Sequence, residues 1–156
     1  MSKMELDEID LKILWQLQEN SNLTTKELAS KVNLSSTPVF ERVKRLEKEG
    51  IIQKYSALID LEKLGGYFPV FCNIRLTQHN KNNGLAFLEA INSIPEVTEC
   101  YNISGDFDFM IKLYVRTMKE YQEFVINKLG VLDFISHHHT TFVLGTLKNK
   151  GFVPMK

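Results

Sequence analysis

The chain has 156 residues, 44% of them hydrophobic, which suffices for one packed domain or two small ones. Lys plus Arg equals Asp plus Glu at 19 each, so no global charge draws the protein to nucleic acid, to a membrane surface or to an acidic substrate, and any electrostatic footprint must be local. Cys72 and Cys100 lack metal-ligand spacing, the charged N-terminus has no apolar h-region, and no run approaches the roughly 18 apolar residues of a membrane span, so the expectation is a soluble cytoplasmic protein without a disulfide scaffold or a membrane partner.

Leu6, Ile9, Ile13, Leu14 and Leu17 recur at helical spacing and predict a first helix, ended by the polar run Glu19–Asn22. Thr24-Thr25-Lys26-Glu27 reads as a capping box that starts a short second helix running to Val32. Ser35 is the expected N-cap of a third helix, with Pro38 in its first turn, Val39, Val43 and Leu46 as its apolar stripe, and Gly50 as its C-terminal stop. Three short helices with a tight turn between the last two are the pattern of a helix-turn-helix. Residues 1–51 form this predicted domain, and 52–66, with Gly65 and Gly66, form an extended linker.

From Phe68 the period changes to two. Val70, Cys72, Ile74 and Leu76 alternate with Phe71, Asn73, Arg75 and Thr77 and predict a strand, followed by a helix with Leu85, Leu88 and Ile91 on one side. A second strand starts at Val97, Glu99, Tyr101 and Ile103. Gly105-Asp106 is a two-residue hairpin signal, and Phe107, Phe109, Ile111, Leu113 and Val115 follow as its partner strand. A helix over about Met118–Leu129 and a strand over about Ile135–Leu144 complete a β-α-β-β-α-β order. The predicted fold class is α+β: an N-terminal three-helix, winged-helix-like helix-turn-helix domain, then a C-terminal ferredoxin-like βαββαβ domain at 67–150, with 151–156 as a tail. The bare face of the sheet is expected to carry Phe71, Cys100, Met110 and Tyr114. Such a patch calls for a cover, and a face-to-face dimer is expected; the tail Lys150–Pro154 or the N-terminal domain is the alternative cover.

Charge is uneven along the first domain. Lys31, Arg42, Lys44, Arg45, Lys48 and Lys54 stand against Glu41, Glu47 and Glu49, a local balance of +3, whereas Glu5 to Ser30 is acidic. Arg42 and Arg45, three apart and away from the apolar stripe, are candidates to read guanine edges in one groove, the alternative being pairing with Glu41 or Glu49. Ser35, Ser36 and Thr37 at the helix start suit phosphate or base contact, and Lys44 completes the expected DNA-binding set.

The wording of these segments is specific. Leu6-Asp7-Glu8-Ile9-Asp10-Leu11-Lys12-Ile13-Leu14, Leu17-Gln18-Glu19-Asn20, Glu27-Leu28-Ala29, Leu34-Ser35-Ser36-Thr37-Pro38-Val39, Arg42-Val43-Lys44-Arg45-Leu46-Glu47 and Gly50-Ile51-Ile52 closely resemble the Lrp/AsnC family of feast/famine regulators, and Gly105-Asp106-Phe107-Asp108-Phe109 looks like the acidic hairpin of that family's effector-binding domain. The resemblance implies a sequence-specific transcriptional regulator of double-stranded DNA, modulated by an amino acid, leucine or another, with no other cofactor. It implies a homodimer, with recognition helices about 34–36 Å apart, that assembles to a tetramer or octamer. It also implies an effector site using Asn102, Ser104, Gly105 and Asp106 of the hairpin and Ser136, His138 and Thr140 of the last strand. An amino acid needs acceptors for its ammonium and donors for its carboxylate, which Asp106 and the amides around Ser104-Gly105 can supply.

One stretch departs from the family. Pro-Gly-Val is common before the last strand, and this chain has Leu129-Gly130-Val131-Leu132-Asp133-Phe134, then Ser136-His137-His138-His139. His137 and His139 share one side of a strand, which permits a His-x-His metal pair but offers no third ligand; surface or interface histidines, able to make assembly pH-sensitive, are the other reading. No phosphate loop, His-Glu-x-x-His or Gly-x-Ser-x-Gly is present, so no enzyme is expected; a small-molecule enzyme on a dimeric ferredoxin-like fold is the distant rival, and a ligand-independent architectural DNA-binding protein the nearer one.

Overall fold

A computed structural model describes residues 5–61, 63–149, 151, 153 and 154. They fall into two compact units: the chain up to Leu58 together with the segment from Lys148, and Ile59–Leu147.

The first unit holds α1 (Glu8–Glu19), α2 (Thr25–Lys31) and α3 (Ser36–Lys48). Each start is set by local chemistry. Asp7 and Asp10 make a reciprocal capping box on α1, with the Asp10 amide donating to the Asp7 carboxylate at 2.8 Å. Thr24 and Glu27 make the expected one on α2, where the Glu27 carboxylate accepts from the Thr24 amide at 2.7 Å. Between α2 and α3 the chain turns through Asn33 at φ 57, and the Leu34 amide reaches back to the Ala29 carbonyl at 3.0 Å, a Schellman-type stop. Ser35 occupies the N-cap of α3, but its side chain makes no capping bond. The third residue of α3 is Pro38, which has no amide to donate. Gly50, at φ 72, takes the left-handed conformation that ends the helix. Ile13, Leu28, Ala29, Val32, Val39 and Leu46 are the buried core. In the C-terminal segment, Val153 exchanges backbone bonds with the Gln18 side chain, at 2.8 and 3.2 Å, and Gly151 lies against Leu58; Lys150 and Phe152, part of the tail considered as a cover for the sheet, lie outside the described residues.

The second unit holds β1 (Phe68–Leu76), α4 (Lys81–Asn92), β2 (Val97–Asn102), β3 (Phe109–Val115), α5 (Met118–Phe124) with a π-helical continuation over Val125–Leu129, and β4 (Ile135–Phe142). The sheet order is β2-β3-β1-β4, antiparallel throughout. This is the ferredoxin-like βαββαβ arrangement that the alternating periods predicted. Val70, Cys72, Ile74, Ile111 and Leu113 are fully buried against Phe87 and Ile91 of α4 and Phe124 of α5.

Three local expectations need correction. On α4 the buried stripe is Phe87 and Ile91, while Leu85 and Leu88 are 55% and 40% exposed. Cys100 sits on the helix-covered face opposite Ile111, because a bulge between Val97 and Glu99 sets two residues of β2 against one of β3 and inverts the alternation beyond it. The bare face carries Phe71, Met110 and Tyr114 as expected, with Lys112 and Glu99 among them. The hairpin is longer than two residues: β3 starts at Phe109, and the Ile103 amide closes the loop onto the Asp108 carbonyl at 3.0 Å. Asp108 draws the loop toward β1, its amide donating to the Ile74 carbonyl and its carboxylate accepting from the Leu76 amide at 2.7 Å.

Candidate DNA interface and effector site

Two places in the fold gather polar chemistry. The first is α3. Val39 and Leu46 point inward, and the helix turns Ser36, Thr37, Phe40, Glu41, Lys44 and Lys48 to solvent. Lys44 is held by Glu47 at 2.8 Å, and Glu47 also accepts from the Tyr55 hydroxyl at 2.9 Å; the Lys44 bond, then the Tyr55 bond, keeps the Glu47 carboxyl below its ordinary range.

Arg42 and Arg45 stand on the flank of α3 that meets α1. Arg42 Nη1 is 2.7 Å from both Asp7 Oδ2 and Asp10 Oδ1, and Arg45 Nη2 is 2.6 Å from Asp10 Oδ2. Their partners are thus Asp7, the N-cap of α1, and Asp10 in its first turn, and neither Glu41 nor Glu49. Asp10 is 1% exposed and Arg45 45%, so a buried carboxylate anchors one edge of a guanidinium whose other edge faces water. Asp7 titrates below the usual carboxylate range, first because the Asp10 amide donates to it and then because Arg42 does; the Arg42 guanidinium is held further above its already high value by bonds from Asp7 and Asp10. The role of Asp7 and Asp10 was not read from the sequence. The signal was present, since an acidic residue inside a first-helix apolar stripe has no reason to be buried without a cation.

The second place is the end of the sheet where β2 turns into β3. Gly105 has φ 109, and Ser104, Gly105 and Asp106 are exposed. The Asn102 side chain donates to the Asp108 carbonyl at 3.0 Å, and Arg75 Nε donates to the Asp106 carbonyl at 2.6 Å while its guanidinium lies 5.4 Å over the Phe107 ring. The Ser136 hydroxyl donates to the carbonyls of Arg75 or Leu76, each at 3.1 Å. Asn102, Ser104, Gly105, Asp106 and Ser136 therefore gather at one end, joined by Arg75, Phe107, Asp108 and His79, which pairs with Asp108 at 2.5 Å. His138 lies two residues further along β4, opposite Ile74, and Thr140 four residues further, opposite Cys72, where its hydroxyl bonds to Tyr121 under the sheet. Burial, outweighing these hydroxyl contacts, pushes the Cys72 thiol up to about 11. Among the described residues no three His, Cys, Asp or Glu side chains converge to hold a metal ion, and His137 and His139 flank Phe107 with ring centroids at 6.2 Å. A groove of about 580 Å³ at the opposite end of the sheet, lined by Tyr67, Arg116, Glu120 and Phe124, includes none of the predicted effector residues.

Comparison with known proteins matches residues 6–53 to a winged helix-turn-helix DNA-binding family and residues 69–152 to the Lrp/AsnC ligand binding domain. The chain is 38% identical to a leucine-responsive regulatory protein of Haemophilus influenzae, over 97% of this chain and 91% of the relative. It is 36% identical to the Bkd operon transcriptional regulator of Pseudomonas aeruginosa, over 97% and 99%. Among solved structures it is similar to a transcriptional regulator of Neisseria meningitidis crystallised with L-methionine, at TM-score 0.89 and 31% identity over 96% of this chain and 97% of that one. It is also similar to AsnC of Escherichia coli, at TM-score 0.84 and 29% identity over 94% and 97%.

Proposed function

Since this chain belongs to the Lrp/AsnC family, transcriptional regulators and not enzymes, that join a DNA-binding helix-turn-helix to a ligand-binding domain, we propose that its ligand is a free amino acid, leucine or another, which modulates DNA binding or assembly of a homodimer into a tetramer or octamer. The observation that carries this reading is the loop Ser104–Asp106. It presents the exposed side chain of Asp106, whose backbone carbonyl is held by Arg75 Nε at 2.6 Å, together with the amides of a glycine turn, which offers an acceptor for an ammonium next to donors for a carboxylate. The relative solved with L-methionine supports the ligand class. Asn102, Ser104, Gly105, Asp106 and Ser136 are the proposed contacts and His138 a neighbouring wall; Thr140, whose hydroxyl bonds to Tyr121, holds β4 in place beside them.

On the DNA side, Ser35, Ser36, Thr37 and Lys44 are the proposed contacts of α3. The Ser35 hydroxyl, released from capping by Pro38, is available to a phosphate at the helix start. Arg42 and Arg45 contribute through the guanidinium edges that Asp7 and Asp10 leave open, which suits phosphate better than bidentate base reading. The test is selection of bound sequences from a random DNA pool with and without each amino acid. One recurring motif, with its enrichment changed by one or a few amino acids, is the expected result. A motif indifferent to every amino acid favours a ligand-independent architectural protein, and no motif at all overturns sequence-specific binding.

A further inference from the structure

Phe40 has no structural explanation within its own unit. It is 52% exposed on the outer side of α3, and it belongs neither to the buried core of Ile13, Leu28, Ala29, Val32, Val39 and Leu46 nor to the half-buried residues around it. On the helix it follows Thr37 by three residues and precedes Lys44 by four, so the three form one continuous stripe opposite Val39 and Leu46. The Lys44 ammonium lies 5.8 Å over the Phe40 ring, and Glu47 anchors that ammonium from the following turn. The ring is thus an apolar plate held in a cationic surface. Arg42 and Arg45 are drawn to the α1 flank by Asp10 and leave this stripe as the one facing outward.

A partner for such a surface must be polyanionic and must still offer an apolar spot at the depth a helix side chain reaches. Duplex DNA meets both conditions: phosphates line the groove, and the thymine C5-methyl is the apolar group on the major-groove edge of the bases. We propose that Phe40 is a specificity-determining residue of this regulator, its ring packing on a thymine methyl in each half-site while Lys44, stacked over the ring, fixes its orientation. The proposal rests on α3 being the helix that reads DNA.

The motif is first selected from a random pool with the wild-type protein and with Phe40→Ala. The wild type is expected to enrich a thymine at one position of each half-site, and Phe40→Ala to lose preference there while keeping the rest of the motif. Deoxyuridine then replaces that thymine, removing only the methyl. Wild-type affinity should fall roughly fourfold per half-site, the effect of one methyl group's burial, and Phe40→Ala affinity should not change. Phe40→Leu, which keeps an apolar contact, should retain part of the discrimination. An unchanged motif for Phe40→Ala, or wild-type indifference to deoxyuridine, overturns the role of Phe40. Absence of any motif for the wild type overturns the DNA-reading helix itself, so the two failures are distinct. Because the side chain is outside the core, both variants should keep the wild-type melting temperature, and a fall of many degrees would assign Phe40 to folding and overturn the proposal.

Discussion

A carboxylate that is 1% exposed must find its counter-charge inside the protein, and Asp10 finds two cations, one on each oxygen. The consequence is asymmetric. Removing the acid leaves Arg42 and Arg45 with side chains 27% and 45% exposed, free to turn toward water, so Asp10→Ala should cost about 1–3 kcal/mol. Removing both arginines strands a buried anion, and Arg42→Ala with Arg45→Ala should cost about 3–5 kcal/mol. Urea unfolding followed by fluorescence of Trp15, the only tryptophan and a residue of α1, measures both. A double-arginine variant no less stable than Asp10→Ala would remove the argument. The same measurement matters for any binding study of these arginines, because a loss of operator affinity has to be separated from a loss of folded protein.

At the scale of the element, α4 separates what a helical stripe shows from what packing decides. Phe87 is fully buried and stacks on Phe109 of β3 with centroids 4.4 Å apart, whereas Leu85 is 55% exposed. Phe87→Ala should therefore cost about 3–5 kcal/mol and Leu85→Ala about 0.5 kcal/mol or less, read from denaturant unfolding of the sheet domain by far-UV circular dichroism; equal effects would mean that the helix is rotated. Leu85, Leu88 and Ile91 form as regular a stripe as Phe87 and Ile91 do, and only the sheet beneath chooses between them. Element order, sheet order and the capping box of α2 were legible because periodicity and Thr24-x-x-Glu27 are local signals. The bulge at Val97–Glu99, the loop pulled in by Asp108 and the pairing of Asp10 with Arg42 and Arg45 were not, since each depends on a partner more than five residues away or on a count of residues across two strands. In the candidate effector site the hairpin was legible and its companion Arg75, on another strand, was hidden for the same reason.

For the whole molecule the decisive surface is the bare face of the sheet. Phe71, Met110 and Tyr114 lie on it around Lys112, whose ammonium is 6.0 and 5.4 Å over the rings of Phe71 and Tyr114. A lysine in such a place would oppose burial if it were alone. Glu99 meets it at 2.7 Å, and Tyr101 donates to Glu99 at 2.5 Å; burial alone would lower the Lys112 pKa, and the bonds to Glu99 and Tyr114 hold it above the ordinary lysine value instead. The pair is balanced within one chain, so a second copy can cover the face without stranding a charge. We therefore expect a face-to-face homodimer in which Met110→Glu, adding an uncompensated carboxylate at the centre, shifts the sedimentation coefficient toward that of a monomer at micromolar concentration. Each monomer retains one α3, so the variant should bind a single half-site as the wild type does but lose the additional affinity for two half-sites about 10 base pairs apart. A wild type that sediments as a monomer, or a Met110→Glu protein that keeps both its assembly and its two-site affinity, would place the dimer contact elsewhere.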